Sequence, residues 1–170
     1  MIELLILYEL RKKVLTMYGL SKEIKKEFSA LTIPSFGTIK PALERLNKKG
    51  CLKAQKTMSS GGRPSTYYSI TTIGEEELVE LLLMQPLENP IQFLTLARVR
   101  LACANILSQK DQLEMFKLLK YKSESIVIEI NNLLKTADLD FFQKMVFDNL
   151  VCEYKNFISL LEGFERACKN

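Results

Sequence analysis

Residues 60–65, SGGRPS, join two segments in which apolar and polar residues alternate, CLKAQKTMS before them and STYYSIT after them. Two adjacent glycines and a proline make a tight turn, and alternation with a period of two is the signature of a strand, so the stretch reads as a β-hairpin with Arg63 at its tip. Thr72, followed three residues later by Glu75, has the spacing of a capping box that opens a helix directly behind the hairpin. A tight basic tip mounted in front of a helix has few places in known architectures, and what precedes it narrows them further.

Upstream, Leu4, Leu5, Leu7 and Tyr8 suggest a short amphipathic helix ending near the basic RKK at 11–13. Leu20, Ile24 and Phe28, four apart, give a second, with Lys22, Lys25 and Lys26 turned outward. A third helix lies in SFGTIKPALERLNKKG, where Phe36, Ile39, Leu43 and Leu46 form a core arc. Thr38, Pro41, Arg45 and Lys48 fall on the opposite arc, with Lys40 on its flank. Gly50 closes this helix at the position where a left-handed residue is favoured. Pro41 is comfortable only within a first turn, so Thr38 suits it as N-cap, whereas Ser35 would place it one turn deeper and require a strained or 3₁₀ start. Both starts remain open at this level.

Helix, helix, helix, strand, tip, strand, helix is the order of a winged helix-turn-helix. Charge supports a polyanionic partner for it. Residues 1–73 carry thirteen Lys and Arg against five Glu, a net +8, while residues 74–170 carry a net −4. Each phosphate such a surface neutralises releases condensed counterions. Double-stranded DNA is therefore the expected partner, with the third helix in the major groove and the wing on the backbone or adjacent minor groove. The residues expected to face it are Lys22, Lys26, Ser35, Thr38, Lys40, Pro41, Arg45, Lys48, Arg63 and Ser65.

From about Leu4 to Leu78 the chain resembles the PadR family of transcriptional regulators: MYGLSKEI resembles the opening of that family's second helix, GTIKPALERLNKKGCL its recognition helix and exit, and GGRPSTYYSITTIGEEEL its wing and following helix. The resemblance puts Thr38, Lys40, Pro41 and Arg45 on the recognition helix and Arg63 with Ser65 on the wing. It also implies a homodimer that acts as a repressor. At Lys40 the family usually carries an aromatic residue, so operator choice is expected to differ here; lysine meets phosphate as a point charge or guanine at its acceptor edge.

Beyond Gly74 the sequence reads as helical throughout, which gives a mainly α chain with a winged-helix domain over residues 1–85 and an all-helical dimerisation domain over 86–170. Residues 91–108 are apolar on nearly every face apart from Arg98 and Arg100, as for a central helix. Two long helices, 110–136 and 139–168, flank TADLD and suggest an antiparallel hairpin. Their apolar stripes are expected to be covered by a second copy, through Ile126, Ile130, Leu133, Val146, Leu150, Tyr154, Phe157, Leu161 and Phe164. Phe93, Phe116, Tyr121, Phe141, Phe142 and Phe147 could line a pocket for a small-molecule effector, but aromatics at helical spacing are more often core, so an effector stays unassigned.

Other classes fit poorly. The chain has no histidine, no GxxxxGK[ST] loop and no GxSxG, and no enzymatic role, metal or cofactor is expected. Four cysteines at 51, 103, 152 and 168 form no CxxC pair and read as reduced core residues. Apolar runs are short, and MIELLIL precedes its basic cluster instead of following one, so a cytoplasmic protein without a membrane span is expected. The competing binding class is a winged helix that docks a protein without specific DNA recognition.

Overall fold

The computed structural model describes residues 1–58 and 64–169. The chain forms two compact units: Met1–Met84 together with Arg98–Ala104, and Gln85–Ala97 together with the residues from Asn105 onward. Among the described residues no helix is long and apolar enough to cross a membrane.

In the first unit, α1 (Ile2–Lys12) is the hub. Every residue from Leu4 to Leu10 is buried, so this helix is enclosed all round, not merely amphipathic as its sequence suggests. It packs against α2 (Met17–Phe28), α3 (Phe36–Lys48), α4 (Thr72–Leu83) and the sheet. The burial includes Glu9, whose Oε1 accepts from Lys12 Nζ at 3.2 Å; burial pushes the Glu9 carboxyl above its ordinary range despite that partner. Lys12 also meets Glu27, and Lys13 meets Glu23 at 3.0 Å, so the basic end of α1 is tied to α2 by acidic partners.

The hairpin forms as expected, from β2 (Leu52–Met58) and β3 (Pro64–Ile70) in antiparallel register with Leu52 opposite Ile70 and Met58 opposite Pro64. A third strand, β1 (Leu15–Thr16), pairs with β3 on its other side and makes the order β1-β3-β2. Thr16 then serves as N-cap of α2, its hydroxyl accepting from the Gly19 N–H at 3.1 Å.

Two helix ends lock the wing to its support. Gly50, at φ +77°, follows α3, with its N–H on the Asn47 carbonyl at 3.1 Å and the Cys51 N–H on the Leu46 carbonyl at 3.0 Å, which is the Schellman pattern. Thr71, not Thr72, caps α4: its hydroxyl accepts from the Gly74 N–H at 3.1 Å and donates to the Gly50 carbonyl at 2.7 Å. The Thr71 N–H bonds the Cys51 carbonyl at 3.0 Å, so the cap of one helix is fastened to the exit of another.

The second unit is built on α6 (Gln109–Thr136) and α7 (Phe141–Lys169). Gln112 Oε1 accepts from Cys168 Sγ at 3.3 Å and Gln109 bonds the Cys168 carbonyl, so the start of α6 meets the end of α7 and the pair is antiparallel. Lys120 and Glu162 at 2.6 Å and the stacked rings of Phe116 and Phe164 at 5.6 Å continue the seam. Asp140 and Gln143 cap α7 reciprocally, at 2.9 and 3.0 Å.

Placement differs from expectation elsewhere too. Helix α5 (Pro90–Ala102) buries Arg100, 2% exposed, whose Nη1 donates to the Met84 carbonyl at 2.9 Å at the end of α4; burial pulls its pKa down to about 10, so it stays charged. Cys51 and Cys103 are core as expected, but Cys152 is exposed and Cys168 half-buried. Tyr121, Phe141 and Phe142 stand in solvent, whereas Phe93 and Phe116 are buried. Of the residues expected to meet a second copy, Ile126, Tyr154, Phe157 and Leu161 are buried within the chain itself; Tyr154 stacks on Phe93 of α5 and its hydroxyl donates to the Pro90 carbonyl at 2.8 Å.

Candidate nucleic-acid interface

Helix α3 starts at Phe36 with Ser35 in the N-cap position. The Ser35 side chain makes no cap bond to the backbone; its hydroxyl pairs with that of Thr38 at 3.1 Å. Both the Thr38 and the Ile39 N–H groups bond the Ser35 carbonyl at 3.0 Å, so the first turn mixes 3₁₀ and α geometry. That resolves the start left open by the sequence: Pro41 sits inside the helix, where its missing N–H leaves the Gly37 carbonyl without its usual intrahelical donor. Both residues are exposed, so water can take that place.

The inner stripe of α3 is Ile39, Ala42, Leu43 and Leu46. Phe36 leaves the stripe: it is 46% exposed and stacks on Tyr18 of α2, ring centroids 6.5 Å apart and planes 14° from parallel. The stripe starts a turn later because the core ends before the helix does.

The outer face carries Thr38, Lys40, Pro41, Arg45 and Lys48, all exposed, as is Ser35. Lys22, Lys25 and Lys26 are exposed on α2. Arg45 pairs across to α1, its Nε donating to Glu3 Oε1 at 2.7 Å. Lys49, at the C-cap of α3, meets Glu77 of α4 at 2.8 Å. Acidic partners thus hold the cations at the root of the fold, while the lysines of α2 and the outer face of α3 point to solvent.

Strand β2 adds two lysines that the sequence reading did not weigh, Lys53 and Lys56, exposed along with the rest of the strand after Leu52. The signal was present as lysines leading into a glycine-rich tip. Between α3 and the wing lies a cleft of about 400 Å³ whose walls include Tyr18, Lys40, Glu44, Ser65, Thr66 and Tyr68. Lys40 and Ser65, placed on separate elements by the sequence, come together there. Arg63 lies outside the described residues.

The geometry offers a helix with an exposed polar and basic side, an adjacent lysine-bearing strand and an open cleft between them. A protruding helix of this kind fits the major groove of B-form DNA, whose width admits one helix.

The model of the transcriptional regulator PadR-like family matches residues 6–80, which cover α2, α3, the wing and most of α1 and α4. A PadR-like transcriptional regulator from Bacillus cereus is 33% identical, the match covering 46% of this chain and 74% of that one, with a TM-score of 0.41. A PadR family regulator from Clostridium difficile is 30% identical over 45% of this chain and 78% of its own, TM-score 0.41. PadR of Bacillus subtilis, solved in complex with operator DNA, is 20% identical over 98% of both chains, TM-score 0.46. Among curated proteins nothing matches. Because the family model spans the whole helix-turn-helix and wing, and two relatives at 30% identity or more are covered over about three quarters of their length, the chain belongs to the PadR-like family of transcriptional regulators.

Proposed function

We propose that this chain is a sequence-specific DNA-binding regulator that represses transcription as a homodimer, with α3 in the major groove and the wing on the flanking backbone. The observation that carries the reading is the exposed polar and basic side of α3, with Thr38 and Lys40 in its first two turns and Lys22 and Lys26 on the neighbouring helix. In this reading Thr38 and Lys40 meet base edges, where a good contact discriminates by roughly 1–3 kcal/mol. Lys22, Lys26, Lys48 and the wing residues serve phosphates and contribute without regard to sequence. Arg45, paired with Glu3 through its Nε, adds a further cation to this face. The chain acts by binding and not by catalysis, in the cytoplasm, and we assign no effector.

Dimerisation through α6 and α7 is supported by the apolar groups those helices leave in water: Leu133, Phe141, Phe142, Met145, Val146 and Phe164 are all at least 38% exposed. Two linked heads would read two half-sites and gain affinity through effective concentration. Selection of bound sequences from random duplex DNA tests the reading: enrichment of one motif, repeated as two half-sites, supports it, and recovery of unenriched DNA refutes it.

A further inference from the structure

On the reading that α3 enters the major groove, we propose that the stacked pair of Tyr18 and Phe36 is a specificity element that packs against the 5-methyl group of a thymine in each half-site. Tyr18 is 71% exposed and Phe36 46%, yet their rings lie nearly parallel, so the two present one continuous apolar surface to solvent. Each comes from the first turn of its helix, the second residue of α2 and the first of α3. The amino-terminal end of the recognition helix is the part that reaches base edges in helix-turn-helix proteins. Lys40 follows four residues after Phe36, one turn along the same side of α3, and Tyr18 shares the wall of the cleft with it. An apolar plate therefore stands among the groups placed to read bases.

The chemistry of the groove decides what this plate can meet. The base edges there offer hydrogen-bond donors and acceptors to the polar side chains, and their one apolar substituent is the thymine methyl. Lysines on both helices hold a polyanion against this face, so two aromatic rings here are covered by DNA and not by an apolar protein surface. A preference for thymine beside a position read by Lys40 follows. The tyrosine and phenylalanine differ from a phosphate contact in one respect that can be read: they are sensitive to a methyl group that leaves base pairing untouched.

The test replaces each thymine of a selected operator, one at a time, by deoxyuridine, which lacks only that methyl. The expected result is one symmetric position per operator at which binding of the intact protein weakens by about fourfold per half-site, the equivalent of ~0.8 kcal/mol for one buried methyl-sized group. Phe36→Ala or Tyr18→Ala should abolish the difference between thymine and deoxyuridine at that position. The deletion is in the DNA, so a folding defect in either variant cannot imitate the wild-type result. An operator with no methyl-sensitive thymine, or a sensitivity that persists in both variants, overturns the proposal and leaves DNA recognition standing. Failure to enrich any duplex overturns the broader reading and this one together.

Discussion

Alanine at Gly74 should be among the most damaging single-methyl additions to the first unit. A Cβ built there would lie 2.7 Å from Ile70 Cγ1 and closer still to the Cys51 carbonyl oxygen. That carbonyl is backbone, and it already accepts the Thr71 N–H at 3.0 Å, so it cannot retreat without loosening the α4 cap. Overpacking of a fixed neighbour costs about 1–3 kcal/mol, and disturbing the threonine cap adds ~1 kcal/mol. A total of roughly 3 kcal/mol lowers the melting temperature by about 6–12 °C for a chain of this size. Gly163 is the internal control: it also lies in a helix, α7, but a Cβ there meets nothing within 4 Å. Gly163→Ala should therefore raise stability by about 0.5–1 kcal/mol, since glycine is the poorer helix former. Thermal and urea denaturation followed by circular dichroism measures both. A Gly74→Ala protein within ~1 kcal/mol of wild type would refute the close approach of α4 to the α3 exit.

Thiol labelling of the native protein should modify Cys152 first and Cys168 more slowly, with Cys51 and Cys103 reacting only after unfolding; burial pushes the Cys103 thiol up to about 12 and raises that of Cys51 as well. Because the folded-state pKa of Glu9 is raised, the folded protein holds its proton more tightly, so this residue's contribution to stability is full below the ordinary carboxylate range and is lost as pH rises through the raised value. Glu9→Gln should flatten the melting-temperature profile in that window. On the dimer, Phe142→Glu should give a folded monomer in sedimentation at micromolar concentration, since Phe142 is 77% exposed, whereas Phe157→Glu should lose helicity because Phe157 packs inside the chain. Arg63→Ala should lower the salt dependence of DNA binding by about one phosphate contact.

The winged-helix order was legible because punctuation and period agree: Gly50 ends one helix, and glycines and a proline separate two alternating segments that pair as β2 and β3. What escaped depends on partners. Strand β1 is two residues long and exists because β3 offers it an edge, so nothing within VLT announces it. Thr71 and Thr72 are adjacent and chemically alike; only the position of Gly50's carbonyl selects the first. Periodicity placed Phe36 on the core arc correctly in angle but not in depth, because it says nothing about where the core ends. The same limit applies to the long helices. A stripe shows that Tyr154, Phe157 and Leu161 must be covered, and the sequence assigned that cover to a second copy, whereas all three are buried in one chain, Tyr154 against Phe93 of α5. Arg100 was read as a break in an apolar helix; its burial follows from a backbone carbonyl at the end of α4 that periodicity cannot see.

The central claim, that α3 reads sequence and does not merely attract DNA, is tested most directly by the ratio of affinities for the selected operator and for random duplex at one fixed salt concentration, in wild type and in Lys40→Ala. Wild type should prefer the operator by a factor on the order of 10³ or more. Lys40→Ala should cut that ratio by roughly tenfold while reducing binding to random DNA far less, as expected for a lost base contact of ~1.4 kcal/mol. Equal affinity of wild type for operator and random duplex would contradict the claim, and an equal loss on both duplexes in the variant would reduce Lys40 to a phosphate contact.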